Sequence, residues 1–235
     1  MNAAPVEARV LEHSFGFTPV LRRINLRIEA GTGALICGRN GAGKSTLLRL
    51  LGGLGTPSSG CALLFGMASS RLEPALRRRL GLLTHQSGLY ANLTARENLT
   101  FFCALYRIAD PAALVQQWLQ RVGLASAADE RVRGFSRGME QRLALARVLL
   151  PTPEVLLMDE PFTALDAEGT ALAQTLVREA LGRGCAVLLT AHQVAQAGGL
   201  TLAPYELVRG RLVSLDPPPD LRASGGAHPT SLPAI

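Results

Sequence analysis

Residues 38 to 46 of the chain read Gly38-Arg39-Asn40-Gly41-Ala42-Gly43-Lys44-Ser45-Thr46. The apolar run Gly33–Cys37 precedes this stretch, and a leucine-rich segment, residues 47–51, follows it. The order predicts a strand, a glycine-rich loop and a helix, and the loop has the complete spacing G-x-x-x-x-G-K-S. The rest of the chain is interpreted outward from this motif.

The residue types of this motif suit the binding of phosphate groups. Glycines allow backbone N–H groups to crowd around phosphate oxygens, and the N-terminus of the following helix attracts negative charge. Lys44 can reach the β- and γ-phosphates, and the Ser45 hydroxyl can ligate Mg²⁺. The alternative is a chance glycine-rich turn, but the full motif in its required context favours a nucleoside triphosphate. The predicted nucleotide-binding residues are Gly38, Asn40, Gly41, Ala42, Gly43, Lys44, Ser45 and Thr46.

The chain is long for one domain and short for two. A chain of 235 residues can bury about 70–75% of its unfolded surface, enough for one substantial core. It contains no window of about twenty uncharged apolar residues, as a membrane span would require. The first eleven residues carry Glu7 and Arg9 and lack the apolar core of a signal peptide. We therefore expect a cytoplasmic location.

The formal charge of +6 raises the hypothesis of a nucleic-acid or anionic-membrane partner. The arginines are nevertheless spread along the chain, and the densest run is only Arg77-Arg78-Arg79. A solvated basic face explains this pattern better, so no nucleic-acid partner is expected.

The four cysteines, Cys37, Cys61, Cys103 and Cys185, are far apart in the sequence, and no C-x-x-C pair occurs. Zinc binding and redox chemistry therefore have no support. The apolar or small neighbours of each cysteine predict four buried thiols in a reducing compartment.

The order of predicted elements indicates the fold class. Strands are predicted at residues 7–11, 24–28, 33–37, 61–65, 80–84, 155–158 and 186–190, with a hairpin at 205–215 that turns at Gly210. Helices are predicted at about residues 43–53, 94–106, 111–122, 136–150 and 166–181, and a short basic helix or turn at 74–79. Thr94 and Glu97 form a capping box at the start of the second helix.

These elements predict an α/β fold of the P-loop NTPase type. We expect a mostly parallel sheet, an antiparallel layer of N-terminal strands and an inserted helical subdomain at about residues 87–134. The predicted nucleotide-binding domain spans residues 1–216. Prolines, serines and glycines dominate residues 217–235, which predicts a disordered tail.

Two acidic residues, Asp159 and Glu160, follow the apolar strand Val155–Met158. Ligands of such sheets bind at the carboxyl ends of the strands. A phosphate-loop enzyme needs an acidic residue there for Mg²⁺ and a second carboxylate to polarise the attacking water. We assign Asp159 to the metal and Glu160 to the base. The alternative is that the pair only ends a strand and starts a turn.

The segment Phe135-Ser136-Arg137-Gly138-Met139-Glu140-Gln141-Arg142 resembles the L-S-G-G-Q signature motif of ATP-binding-cassette (ABC) proteins. A serine beside a glycine at a helix N-terminus suits a γ-phosphate. In that family the phosphate belongs to a nucleotide held by the other subunit. The resemblance thus assigns Ser136 and Gly138 to nucleotide binding, and the alternative is an ordinary N-cap.

The resemblance extends over nearly the whole chain. It implies that Gln86 is the Q-loop glutamine that senses Mg²⁺ and the membrane partner. It implies further that Ala164-Leu165-Asp166 is the D-loop, that His192 is the switch histidine that contacts the γ-phosphate, and that Phe15 is the aromatic that stacks on adenine. Taken singly, a glutamine, a histidine and a phenylalanine are more often structural.

Three residues depart from the family pattern. Arg137 stands where the family usually has glycine, and Met139 replaces the signature glutamine. Gln193, after the switch histidine, replaces the commoner aspartate. These departures bear on the ATP contact between subunits and not on the fold.

The resemblance implies an ATP- and Mg²⁺-dependent ATPase that works as a nucleotide sandwich with a second nucleotide-binding domain, as a homodimer. Closure and reopening would drive an integral-membrane transporter subunit, so the chain would be peripheral at the cytoplasmic face of the inner membrane. Residues 84–90, 93–99, 135–139 and 190–193 are most similar to the ATPase of haem exporters used in cytochrome c maturation. ATPases of drug and polysaccharide exporters share much of the sequence of these segments.

Two other classes remain open. A soluble ABC ATPase that acts on nucleic acid or ribosomes usually carries two cassettes or a long coiled coil, and neither occurs here. A non-hydrolysing structural or regulatory cassette is disfavoured by the intact Lys44, Asp159, Glu160 and His192.

Overall fold

The computed structural model describes residues 3–215, and the predicted tail at 217–235 lies outside the described residues. The strands are β1 (Val6–Phe15), β2 (Thr18–Ile28), β3 (Gly33–Cys37), β4 (Ser59–Leu64), β5 (Met67–Ala68), β6 (Leu80–Leu83), β7 (Val155–Met158), β8 (Ala186–Thr190), β9 (Ala203–Val208) and β10 (Arg211–Ser214). The α-helices are α1 (Lys44–Leu51), α2 (Pro74–Arg77), α3 (Ala95–Tyr106), α4 (Pro111–Arg121), α5 (Arg137–Leu149) and α6 (Ala167–Gly182).

A six-stranded sheet forms the centre of the molecule, in the order β10-β9-β3-β8-β7-β6. All neighbouring strands are parallel except β9 and β10, which form the predicted hairpin. Strands β3, β7 and β8 are buried along their whole length because both faces of the sheet are covered. Successive residues therefore enter different cores, as Leu156 and Leu157 do.

The two cores divide the molecule into layers. On one face of the sheet, Leu156 and its equivalents pack against helices α3 to α6. On the other face, Leu157 packs with α1 and with a second, four-stranded antiparallel sheet of order β2-β1-β4-β5. The predicted fold, a mostly parallel sheet with an antiparallel N-terminal layer, is confirmed.

The first two strands are longer than predicted. Residues 7–11 and 24–28 are only the inner parts of β1 and β2, which continue to a turn at residues 16–17. Register shifts interrupt the β1–β2 pairing, and Arg22 and Arg23 are exposed, so the outer halves lack the regular alternation that predicts a strand. The outer halves are strands because β1 and β2 pair with each other as far as Phe15 and Thr18.

The predicted capping box at the start of α3 is confirmed. Thr94 Oγ1 accepts a hydrogen bond from Glu97 N at 3.1 Å, and Glu97 Oε2 accepts one from Thr94 N at 2.8 Å, which completes the capping box at α3. Within residues 87–134, all described, α3 and α4 are the long elements and no strand is assigned. The division of this segment into an inserted subdomain stays a prediction.

The prediction of four buried thiols is wrong for one cysteine. Cys37, Cys103 and Cys185 are buried, whereas Cys61 is exposed. Cys61 lies opposite Arg9 on the antiparallel sheet, and its neighbour Ala62 points to the core instead. Since side chains alternate along a strand, the register of β4 places Cys61 outward. Burial raises the pKa of the Cys185 thiol to about 12.

Across residues 3–215, none of the helices combines the length and the apolar character needed to cross a membrane.

Candidate nucleotide-binding site

The phosphate loop connects β3 to α1, as predicted. Gly38 has φ of 146° and Gly43 has φ of 106°, backbone conformations that residues other than glycine rarely adopt. A Cβ atom on Gly38 would lie 2.9 Å from the carbonyl oxygen of Leu207, and one on Gly43 would lie 2.9 Å from Val20 Cγ1. The two glycines therefore allow the loop to turn tightly against its neighbours.

The Lys44 side chain is folded back into this loop and is only 4% exposed. Its Nζ donates hydrogen bonds to the carbonyl oxygens of Gly38 at 2.7 Å and Arg39 at 3.4 Å. The ammonium group also lies 3.6 Å from Glu160 Oε1. A buried positive charge is thus held at the inner side of the phosphate loop.

Asp159 and Glu160 lie at the carboxyl end of β7, and Thr190 at the end of β8 joins them. Asp159 is 7% exposed, and its Oδ1 accepts a 2.6 Å hydrogen bond from the Thr190 hydroxyl. The same hydroxyl accepts a 3.0 Å hydrogen bond from Glu160 N. The sequence did not predict Thr190 as a residue of the site. Its only signal there is a polar residue that ends the apolar strand Ala186–Thr190.

Glu160 lies between two nitrogen groups from other parts of the chain. His192 Nε2 is 2.9 Å from Glu160 Oε2, while Lys44 Nζ is on the side of Oε1. Glu160 has φ of +50°, a conformation that non-glycine residues adopt at a cost and that often marks functional sites. The loop after β8 also holds His192 in place, because its backbone N donates to Gln196 Oε1 at 2.9 Å.

A cavity of about 320 Å³ opens in front of the phosphate loop, and we call it the phosphate-loop cavity. It is lined by Phe15, Val20, Arg39, Asn40, Gly41, Ala42, Gly43, Lys44, Ser45, Thr46 and Glu160. Phe15 is 63% exposed and contacts His13 edge to face, with ring centroids 4.9 Å apart. The structure thus brings the predicted aromatic and nearly the whole predicted loop together.

A second cavity of about 320 Å³ adjoins the first at Glu160, and we call it the signature cavity. It is lined by Thr84, His85, Ser87, Arg137, Glu140, Gln141, Asp159, Glu160, Thr163 and Ala164. Arg137 is exposed here at the start of α5. Gln141 Nε2 donates to the carbonyl oxygen of Pro161 at 2.8 Å, which ties α5 to the loop after β7.

Five predicted site residues line neither cavity: Gly38 and His192, whose positions are given above, and Gln86, Ser136 and Gly138. Ser136 is the N-cap of α5, where its Oγ accepts a 3.2 Å hydrogen bond from Met139 N. Gly138 lies close to the carbonyl oxygen of Ala164, 3.1 Å from where a Cβ would be. Gln86 is exposed, and its carbonyl oxygen accepts a hydrogen bond from the Thr84 hydroxyl at 3.0 Å.

The residues present suit Mg²⁺ only as part of a nucleotide complex. Among the described residues, no group of three or more His, Cys, Asp and Glu could hold a metal ion. The Asp159 carboxylate and the Ser45 hydroxyl offer two oxygen ligands. Mg²⁺ is commonly held by one or two carboxylates, with substrate phosphates and water completing its shell.

A larger cavity of about 730 Å³ lies at the opposite end of the sheet, around Gly33 and Leu202. Because parallel sheets bind ligands at the carboxyl ends of their strands, this cavity is not part of the site.

The family model described as "ABC transporter" matches residues 21–163, which include the phosphate loop, the signature segment and Asp159-Glu160. The chain belongs to the ABC transporter family. This result confirms the resemblance to ABC proteins found in the sequence, and it makes the chain an ATP-binding ATPase of this family.

Several curated relatives of this ABC ATPase are similar over most of its length. It is 35% identical to Nod factor export ATP-binding protein I of Paraburkholderia xenovorans over 226 residues, 95% of this chain and 74% of that protein. It is 40% identical to cytochrome c biogenesis ATP-binding export protein CcmA of Pseudomonas fluorescens over 169 residues, 72% of this chain and 80% of that protein. It is 36% identical to daunorubicin resistance ATP-binding protein DrrA3 of Streptomyces coeruleorubidus over 217 residues, 92% of this chain and 69% of that protein.

Solved structures agree with the fold of the ABC ATPase. An ATP-binding subunit of an ABC transporter superposes with a TM-score of 0.84 at 25% identity, covering 95% of this chain and 94% of that one. A dimeric ATP-binding cassette in a post-hydrolysis state, bound to ADP and Pi, superposes with a TM-score of 0.80 at 26% identity, covering 88% and 96%.

Proposed function

We propose that two copies of this ABC ATPase hydrolyse Mg²⁺-bound ATP between them and thereby drive export through an integral-membrane transporter subunit. One observation carries the enzymatic part of the proposal. Glu160 lies at a strand end beside the phosphate loop, within 3.6 Å of Lys44 and 2.9 Å of His192. A carboxylate placed there can orient water for attack on a γ-phosphate.

The residues in and around the phosphate-loop cavity would have separate roles. Lys44 and the backbone N–H groups of the loop bind the β- and γ-phosphates, and Phe15 stacks on the base. Ser45 and Asp159 would hold Mg²⁺ when it enters with the nucleotide, with Gln86 as a further ligand. The ion would neutralise charge that develops on the phosphoryl oxygens. His192 orients Glu160 and contacts the γ-phosphate.

The second half of each site comes from the other copy. Ser136 and Gly138 lie outside the phosphate-loop cavity of their own chain, at the exposed start of α5. In a homodimer they would contact the γ-phosphate held by the partner, where the helix N-terminus favours negative charge. The dimeric solved cassette with ADP and Pi supports this arrangement.

The membrane subunit would dock beside Gln86, on the surface formed by Tyr90, Phe101 and Leu105. These side chains are exposed, and the Tyr90 and Phe101 rings pack edge to face with centroids 4.9 Å apart. Exposed apolar clusters of this kind often mark protein interfaces. The chain would then be peripheral at the cytoplasmic face of the inner membrane.

For the cargo we propose haem, exported for cytochrome c biogenesis. The 40% identity to CcmA, a relative named for export in that process, supports this choice. The second candidate is a drug or polysaccharide exporter. The daunorubicin and Nod factor relatives support it, because their alignments cover 92% and 95% of the chain.

The enzymatic proposal is tested with Glu160→Gln. We expect ATP turnover to fall by about 10²- to 10³-fold while ATP binding is retained, because the amide keeps the shape but not the charge of the base. Phosphate release and fluorescent-nucleotide titration measure the two quantities, and size-exclusion chromatography detects a trapped dimer. Glu168→Gln, an exposed position on α6, is the control. Wild-type turnover in Glu160→Gln would contradict the assignment of the base.

The partner and the cargo are tested by affinity purification of the chain from native membranes with mass spectrometry. Small integral-membrane proteins with haem-handling partners would support haem export. One large permease without haem machinery would favour the second candidate. Ribosomes or DNA-bound proteins would replace the transporter proposal by a soluble ABC ATPase acting on nucleic acid.

A further inference from the structure

One face of α5 holds the segment that follows Gln86. Glu140 and Arg147 are seven residues apart, about two helical turns, and therefore lie on the same face. The Ser87 hydroxyl donates a 2.5 Å hydrogen bond to Glu140 Oε1, and this pair is partly buried. A hydroxyl bound to a carboxylate is a charge-assisted hydrogen bond, roughly twice as strong as one between neutral groups.

Arg147 holds the next residue of the segment and the strand before it. Its Nη2 donates to the carbonyl oxygen of Leu82 at 3.1 Å, and its guanidinium stacks over the Phe102 ring at 5.2 Å. Gly88, with φ of +67°, lies against the guanidinium, and a Cβ there would be 3.4 Å from Cζ. The segment thus passes over Arg147 at close contact.

Burying the charged Arg147 side chain at this position destabilises the fold through loss of hydration. Burial lowers the pKa of its guanidinium, and its buried Nε has no hydrogen-bond partner among the described residues. An apolar side chain would avoid this desolvation cost. Its contacts with Leu82, Gly88 and Phe102 instead join the central sheet, the segment after Gln86 and α3 at one point.

We propose that Glu140 and Arg147 are positioning residues that hold residues 87–88 on α5, so that Gln86 and Ser136 keep a fixed relation to each other. The inference rests on the proposed function of Gln86 and Ser136 and deepens it. Ser136 caps α5 only four residues before Glu140, so the helix connects the two contacts rigidly. The Mg²⁺-sensing glutamine of one site is thereby linked to the serine that serves the other site.

The test is a double-mutant cycle with Ser87→Ala, Glu140→Ala and the double variant in the full chain. The readout is the Mg²⁺ concentration that gives half-maximal ATP turnover, with Gln86→Ala as the reference for a lost metal contact. We expect each single variant to raise this concentration by about three- to tenfold, and the double variant to equal a single one. Glu140→Gln, which keeps an acceptor oxygen, should recover most of the loss.

Controls separate positioning from folding. Ser126→Ala and Glu130→Ala remove the same groups from exposed positions and should leave the Mg²⁺ dependence unchanged. Nucleotide affinity without Mg²⁺ should be equal in all variants, since the phosphate loop is untouched. Arg147→Lys, which keeps the charge and the aliphatic stem, should shift the Mg²⁺ dependence less than Arg147→Met at equal melting temperature.

Two outcomes overturn the inference, and they can be told apart from failure of the proposed function. Additive effects of Ser87→Ala and Glu140→Ala, or no shift in Mg²⁺ dependence, would show that this hydrogen bond does not position Gln86. A wild-type chain without Mg²⁺-dependent turnover, or a fully active Glu160→Gln variant, would instead overturn the proposed function, and this inference with it.

Discussion

The phosphate-loop half of the site and the signature half are built differently. In the first, Lys44 and Asp159 are buried; Lys44 donates hydrogen bonds to the loop carbonyls, and Asp159 accepts one from the Thr190 hydroxyl. In the second, Ser136 and Arg137 are exposed at the start of α5. The Ser136 hydroxyl accepts a hydrogen bond from Met139 N, as the side chain of an ordinary N-cap does.

This difference shows which site residues the fold of a single chain can fix in position. The first half is backed by the central sheet, so its groups are held before any nucleotide arrives, as preorganised electrostatic catalysis requires. In the proposed dimer, the second half is completed by the nucleotide that the other copy binds. Variants of the first half should therefore affect nucleotide binding or stability in the monomer, whereas variants of the second half should leave nucleotide binding by the monomer unchanged and reduce turnover of the assembled enzyme.

The largest effect is expected for Lys44→Ala in the phosphate-loop half. Loss of the buried ammonium removes the charge that faces the β- and γ-phosphates, so turnover should fall by about 10³-fold and ATP binding should be lost as well. Nucleotide titration and phosphate release measure both effects. Arg49→Ala removes an exposed charge from the same helix and should change neither. Retained ATP affinity in Lys44→Ala would show that the loop is not the binding site.

Thr190→Ala tests the backing of the same half. The change removes the donor to Asp159 and the acceptor for Glu160 N in a fully buried place. We expect a loss of about 1–3 kcal/mol in the free energy of unfolding, with a fall in turnover of about tenfold. Chemical denaturation and phosphate release measure these quantities. Thr190→Ser keeps the hydroxyl and should retain most of the activity, and an equal loss in both variants would contradict the hydrogen-bond explanation.

Ser136→Ala and Thr94→Ala compare two N-caps of similar geometry. Ser136 accepts from Met139 N at 3.2 Å and Thr94 from Glu97 N at 3.1 Å. Each variant should lose about 1 kcal/mol of stability. Only Ser136→Ala should also reduce turnover, by about tenfold, without weakening ATP binding by the monomer. Equal turnover in the two variants would mean that Ser136 is a structural cap and nothing more.

The smallest effect concerns the thiols, whose labelling rates report how well strand β3 beside the phosphate loop is protected from solvent. Native labelling with a maleimide at pH 7.5 should modify the exposed Cys61 and spare Cys37, which directly precedes the phosphate loop. Mass spectrometry of peptides gives the labelled positions. Modification of Cys37 as fast as Cys61 would show that strand β3 opens on the timescale of labelling.

The buried Cys185 adds a pH dependence to this measurement. Burial raises its pKa to about 12, against about 8.5 for a free thiol, so the folded state holds the proton more tightly than the unfolded state does. Stability from this group is therefore complete below pH 8.5 and falls as the pH rises toward 12. Cys185 should stay unlabelled at pH 10 as long as the chain is folded.

Motifs that are contiguous in the chain were determined by the sequence alone. The phosphate loop from Gly38 to Ser45, the capping box of Thr94 and Glu97, and the turn at Gly210 all depend on neighbouring residues and on backbone conformations that few residue types adopt. The apolar run Val155–Met158 likewise predicted a buried central strand, because a parallel strand covered on both faces has apolar residues along its whole length.

Only the tertiary structure decided which distant groups meet. Thr190 reaches Asp159 from 31 residues away, and Ser87 reaches Glu140 from 53 residues away. Strand neighbours and helix faces set these contacts, and alternation along one strand does not tell which side is covered. The same reason explains the exposed Cys61, since the register of β4 against β1 turned it outward. The sequence by itself determined most of the chemical groups of the candidate site, and packing over long separations added Thr190 and determined how all of them are arranged.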